Sequence, residues 1–69
     1  MMQDYQHRVI QERADLHEKA MRLSSFITQT DSYLAFSKED RDLLREQLTY
    51  MLQYESILDK RIERFKETV

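Results

Sequence analysis

The sequence predicts an all-α fold, an antiparallel two-helix hairpin with a short helical corner. The 69 residues include no Gly and no Pro, the residues that favour tight turns and helix breaks. Strong helix formers such as Leu, Glu, Gln and Arg are abundant. Apolar residues recur every three or four positions in two long stretches separated by a polar segment. We therefore expect a single helical-hairpin domain over residues 1–69.

Helix 1 is expected over about residues 3–28. Met2, Val9, Leu16 and Leu23 recur at intervals of seven and mark one apolar stripe. A helix of this length extends for roughly 38 Å.

The corner is expected over residues 29–37. The segment TQTDSYLAFSKED interrupts the helical period with Ser, Thr and Asp, whose side chains compete for backbone hydrogen bonds. Ser37 followed by Asp40 resembles the capping box that opens a helix. We expect a short helical turn within this corner.

Helix 2 is expected over about residues 38–67, and it has two apolar rows. The first row is the stripe that should face helix 1, and its members are Leu44, Leu48, Met51, Leu58, Ile62 and Phe65. A second row includes Leu43, Tyr50 and Ile57. One partner helix covers only a narrow seam. We therefore expect the second row to be an oligomer interface, through which the hairpin assembles into a homo-oligomeric helical bundle.

The corner should also set the register of the two antiparallel helices. Equal steps away from the corner pair Val9 with Leu58 and Tyr5 with Ile62. The same register places Glu55, which interrupts the first row of helix 2, opposite Glu12.

Two opposed carboxylates in an apolar seam require a compensating cation or a proton. Arg8 and Lys19 lie on the same side of helix 1 as Glu12. One interpretation is a structural polar layer of Glu12 and Glu55, balanced by these bases, that fixes register or subunit contacts. The other is a pocket between subunits, lined by Arg8, Glu12 and Lys19 and kept polar for a ligand.

Composition excludes several classes of function. The chain has no Cys, which excludes disulfides and thiolate metal sites. Thirteen acidic and 11 basic residues, interspersed along the chain, give a net charge of -2 and favour neither DNA binding nor a DNA mimic. The start MMQDYQHRVIQE lacks the apolar run of a signal peptide, and no window matches a membrane span. We expect a cytoplasmic protein that binds no membrane.

We expect no catalytic residue, no metal site and no cofactor. The Glu-x-x-His motif of helical metal sites is missing, and His7 and His17 point in different directions on one helix. A glycine-rich phosphate loop cannot form without glycine. Tyr50 and Tyr54 are interpreted as packing aromatics or, alternatively, as faces for base stacking.

Two motifs resemble a known family: YQHRVIQERADLHEKAMRLSSFI, residues 5–27, and LLREQLTYMLQYESILDKRI, residues 43–62. They are similar to a family of small helical-hairpin proteins encoded by tailed phages and prophages and related to a crAss-like phage protein. The resemblance covers about two thirds of the chain. The ligand-binding residues that it implies are Tyr5, Arg8, Glu12, Lys19, Gln47, Tyr54 and Arg61.

The resemblance implies a non-enzymatic counter-defence protein. Several short helical phage families look like oligomeric sponges, which bind a nucleotide second messenger of bacterial immunity and so sequester it. The ligand would then be a cyclic nucleotide or an ADP-ribose-type molecule. The alternative is an inhibitor or adaptor that lays its apolar helix face on a host or phage protein.

Overall fold

The structure is a computed structural model that describes residues 2–65, and these form a rod of two packed helices. Helix α1 is Asp4–Gln29, a 3₁₀ helix at Asp31–Ala35 forms the corner, and helix α2 is Lys38–Arg64. The rod measures 49 × 15 × 15 Å. Residues 2–65 contain no strand, and the predicted all-α hairpin with a helical corner is confirmed. Residues 66 and 67, predicted to end helix 2, lie outside the described residues.

Side chains satisfy backbone donors at the start of both helices. The N–H of Gln3 donates to Oε1 of Gln6 over 2.8 Å. The hydroxyl of Ser37 accepts the N–H of Asp40 over 3.1 Å. The first N–H groups of a helix have no partner within the helix, so such caps stabilise its first turn. The cap at Ser37 agrees with the expectation from the sequence.

The corner turns without any left-handed residue. Thr30, between α1 and the 3₁₀ helix, is extended with φ -122° and ψ 141°. Its hydroxyl donates to the carbonyl of Phe26 over 2.6 Å, and the Thr28 hydroxyl donates to that of Ser24 over 2.8 Å. Phe26 is one of the last four residues of α1, whose carbonyls have no partner within the helix, so the Thr30 hydroxyl helps to satisfy the end of this helix. None of the described residues has a positive φ.

Aromatic pairs hold the rod at its two ends. At the corner, Phe26 packs edge-on against Tyr33 and Phe36, with ring centroids 6.2 and 5.9 Å apart. At the other end, Tyr5 meets Phe65 edge-on at 5.8 Å. Edge-to-face contact is a favoured geometry for aromatic rings. Both ends of the hairpin are therefore fixed by side-chain packing across elements.

The core between α1 and α2 is small. Ala20 and Leu58 are fully buried, and Val9 is 5% exposed. A small side chain such as Ala20 lets two helix backbones approach closely. A core of this size supplies roughly 3–5 kcal/mol at most, so the loss of one core side chain is a large fraction of the total.

The register of the helices differs from the one that the sequence predicts. The ring of Tyr5 packs against Phe65, three residues beyond the Ile62 that was predicted to lie opposite. Glu55 faces Arg13 and His17 and not Glu12. These predicted pairs were wrong because apolar residues at every third or fourth position determine which face of each helix is buried and not how the two helices are aligned. The charged pairs distinguish the two registers.

Candidate functional site

An open groove between α1 and α2 gathers four of the seven predicted ligand-binding residues. We call it the central groove, and its volume is about 400 Å³. The four are Arg8, Glu12, Lys19 and Tyr54. The remaining lining residues are Gln11, Asp15 and Leu16.

The α1 side of the central groove is a stripe of alternating charge. Arg8, Glu12, Asp15 and Lys19 follow one another at steps of four, three and four, so they share one face of the helix. The cations stand at the two ends, roughly 16 Å apart along the axis, with the carboxylates between them. All four residues are exposed. The pattern offers contacts to anionic groups at either end and hydrogen-bond acceptors in the middle.

The α2 side of the central groove is the ring of Tyr54. This residue is 43% exposed, so an aromatic surface is accessible beside the charged stripe. Arg and Lys bind phosphate, carboxylates accept hydrogen bonds from hydroxyl or amino groups, and an aromatic ring stacks on a base. The lining therefore combines the chemistry that recognises a nucleotide.

The other three predicted ligand-binding residues lie in separate grooves. Gln47 lines a groove of about 310 Å³ next to the corner. Tyr5 and Arg61 line one of about 180 Å³ at the opposite end of the rod, together with Arg64 and Phe65. A further groove of about 500 Å³ on α1 includes Arg22 and Phe26 and none of the seven. Within one chain, the predicted set is thus divided among three places.

Glu55 forms the centre of a polar cluster inside the helix pair. It is 8% exposed, and its Oε1 lies 3.0 Å from Nη2 of Arg13 and 2.7 Å from Nδ1 of His17. Nε of Arg13 also donates to Oδ1 of Asp59 over 2.8 Å. The hydrogen bond that Arg13 donates to Asp59, with the charges of Asp59 and Glu55, raises the pKa of Arg13. The cluster supplies Glu55 with a permanent cation.

This cluster replaces the predicted layer of Glu12 and Glu55. Glu12 is exposed and lines the central groove, together with the two bases that were expected to balance Glu55. Sequence reasoning missed Arg13 and His17 as the partners. A signal for them exists: two basic residues four apart on helix 1 match Glu55 and Asp59, two acidic residues four apart on helix 2.

The predicted oligomer interface is exposed in the single chain. Leu43, Tyr50 and Ile57 are 61%, 59% and 55% exposed. Large apolar side chains in a row on one helix face mark a contact surface. The interface itself stays a prediction.

Residues 2–65 contain no group of three or more His, Cys, Asp or Glu side chains placed to hold a metal ion. No helix within the same residues has the length and apolar character required to cross a membrane.

Comparison with known proteins identifies the family. No curated protein and no solved structure matches the chain. The family described as Sequestin matches residues 3–64, which include both helices, the corner, the central groove and the Glu55 cluster. The chain therefore belongs to the Sequestin family.

Proposed function

We propose that this chain is a non-enzymatic, phage- or prophage-encoded sponge that binds a nucleotide-derived signal of bacterial immunity in the host cytoplasm and sequesters it. The observation that carries the proposal is the central groove, where Arg8, Lys19, Glu12 and Tyr54 line one surface. The name of the family, Sequestin, is consistent with a sequestering role.

A sponge requires tight binding and no catalytic group. The Arg8 guanidinium and the Lys19 ammonium would hold phosphate oxygens. Glu12 would accept hydrogen bonds from ribose hydroxyls or a base amino group. The exposed ring of Tyr54 would stack on a base, a contact worth roughly 1–3 kcal/mol.

The open groove of a single chain favours an oligomeric form of the sponge. Ligand pockets that bind tightly cover most of the ligand surface, whereas the central groove lies open along the side of a thin rod. The exposed row of Leu43, Tyr50 and Ile57 supplies the apolar surface for self-association. A second copy would therefore both bury this row and deepen the groove.

Native mass spectrometry tests the proposal directly. The protein is measured alone and with cyclic di-AMP, cyclic tri-AMP and ADP-ribose. A discrete oligomer that gains a fixed ligand mass per site is expected. Arg8→Ala and Tyr54→Ala should each lose that added mass, whereas Lys38→Ala, which removes a cation from an exposed ion pair far from the groove, should keep it. An oligomer that binds none of the three compounds would overturn the proposal for these ligand classes.

A second candidate function is that of a protein-binding inhibitor or adaptor. The same exposed apolar row favours it, because amphipathic helices also dock into grooves of other proteins. The two candidates differ in the mass of the purified protein. A stable monomer with an accessible row supports the inhibitor, and a closed oligomer supports the sponge.

A further inference from the structure

A second seam with heptad spacing follows the exposed side of α2. Residues recur at steps of four and three, and this spacing is that of a coiled-coil seam. Five of its members are large hydrophobic residues between 43% and 61% exposed. We call this row the outer seam, and its members are Phe36, Asp40, Leu43, Gln47, Tyr50, Tyr54, Ile57 and Arg61.

The acidic and the basic residues on and beside the outer seam lie in different halves of it. The half next to the corner carries Glu39, Asp40 and Glu46, and the other half carries the bases Lys60, Arg61 and Arg64. None of these six side chains forms an ion pair within residues 2–65. In contrast, several charged residues of α2 away from the outer seam are paired within the chain, among them Lys38, Asp42, Arg45 and Asp59.

We infer that a second copy of this chain packs along the outer seam in antiparallel orientation and completes the central groove. Antiparallel packing places the acidic half of each seam against the basic half of the other, whereas parallel packing would oppose like charges. Complementary charge selects orientation in this way at helix interfaces. The helix dipoles also oppose each other favourably in the antiparallel pair. The inference rests on the proposed function for the identity of the ligand.

The two-fold symmetry of such a pair fixes which residues meet. With the axis beside Tyr50, Leu43 of one copy lies opposite Ile57 of the partner subunit, so apolar residues meet on both sides of the centre. Asp40 lies opposite Arg61 of the partner subunit.

The same symmetry brings Gln47 to the central groove. Gln47 and Tyr54 are one heptad apart in the same chain, roughly 10 Å along the helix, and they line different grooves. In the antiparallel pair, Gln47 of the partner subunit lies beside Tyr54. Each copy thus supplies the amide of the other copy's site, and the dimer has two equivalent composite sites for a nucleotide.

Disulfide trapping tests the orientation. Because the chain has no native Cys, only the introduced residues can form disulfides. Glu39→Cys and Lys60→Cys proteins are mixed and oxidised. Antiparallel packing is expected to give the mixed disulfide, with loss of both homodisulfides. Arg45→Cys and Leu52→Cys, both on the face away from the outer seam, serve as the matched control pair and should stay unlinked. Predominant homodisulfides, or no more linkage than in the control, would overturn the inference.

Complementation tests the composite site. Gln47→Ala and Tyr54→Ala proteins are mixed, and binding of cyclic di-AMP, cyclic tri-AMP and ADP-ribose is measured. A site built from two copies leaves one of the two sites intact in each mixed dimer. Random exchange of equal amounts makes half of the dimers mixed, so about a quarter of the wild-type sites should return with wild-type affinity. Failure to restore binding would overturn the composite site.

The two tests also separate this inference from the proposed function. Wild-type protein that binds a nucleotide but forms homodisulfides keeps the function and overturns the antiparallel pair. Protein that forms the mixed disulfide but binds none of the three compounds keeps the pair and overturns both the composite nucleotide site and the proposed function.

Discussion

His17 and Glu55 form the shortest contact of the cluster between the helices, with Nδ1 of His17 2.7 Å from Oε1 of Glu55. Because a carboxylate only accepts hydrogen bonds, Nδ1 is the donor. Arg13 shares the same carboxylate oxygen at 3.0 Å. The carboxylate is buried, whereas the side chains of Arg13 and His17 are 35% and 46% exposed. Because water already reaches the two bases, removing Glu55 does not leave them buried without a hydrogen-bond partner.

Glu55→Leu should raise the free energy of unfolding, by about 1 kcal/mol. The substitution removes the cost of burying the carboxylate, and it does not leave a buried unpaired charge, because the side chains of Arg13 and His17 are partly hydrated. Glu18→Leu, an exposed site on α1, is the matched control and should change stability by less than about 0.5 kcal/mol. Urea denaturation followed by circular dichroism measures both. A decrease for Glu55→Leu would mean that the ion pairs outweigh the cost of burying the carboxylate.

Leu58→Ala should cost about 2–5 kcal/mol, because Leu58 is fully buried and truncation leaves a cavity. A loss of that size equals most or all of the stability of so small a core. Leu52→Ala is the control on the same helix, since Leu52 is 43% exposed. Thermal unfolding should show a large decrease in Tm for the first variant and little change for the second. Equal decreases would contradict the assignment of Leu58 to the core.

Ser37→Ala should destabilise the start of α2 by about 1 kcal/mol through loss of the bond to the N–H of Asp40. Ser56→Ala serves as the control, because Ser56 is exposed within the same helix and Ala favours helix interiors. Amide hydrogen exchange near residue 40 measures the local effect. Unchanged exchange there would argue against the cap.

Asp42→Asn should remove a contribution to the stability of the fold that depends on pH. Hydrogen bonds from Lys38, at 3.0 Å, and Arg45, at 2.7 Å, lower the pKa of Asp42 in the folded protein. The carboxylate then stabilises the fold above its unfolded pKa of about 3.9, and this contribution is lost as the pH falls through the lower folded pKa.

Thermal scans from neutral pH to about pH 2 test this sign. The wild-type protein should have the higher Tm at neutral pH, and the two curves should converge on acidification. Asp31→Asn, at an exposed site in the corner, is the control and should follow the wild-type curve. A difference in Tm that persists at the acidic limit would show that the effect of Asp42→Asn has another cause.

The sequence predicts the elements of this fold better than their alignment. The apolar period and the cap residue Ser37 depend only on local chemistry, so both helices and the start of α2 could be predicted. The alignment of the two helices could not, because the apolar stripes determine only which face each helix buries. The charged pairs carry the missing information, because Arg13 and His17 on one helix match Glu55 and Asp59 on the other.

The candidate site was predicted to a similar extent. Arg8, Glu12 and Lys19 were expected together because their spacing places them on one helix face, and Tyr54 joins them across the groove. Gln47 was assigned to the same site, although it lies one heptad from Tyr54 and lines a different groove. Spacing along one helix predicts which residues share a face, and only packing determines which of them are close neighbours.

The corner has a consequence for how freely this sequence can diverge. Because none of the described residues needs a positive φ, the backbone of the corner requires no glycine or asparagine at any position. The turn depends instead on contacts between its aromatic side chains, Phe26, Tyr33 and Phe36. Substitutions at most other corner positions should therefore leave the turn unaltered, provided that this aromatic cluster and the cap at Ser37 are kept.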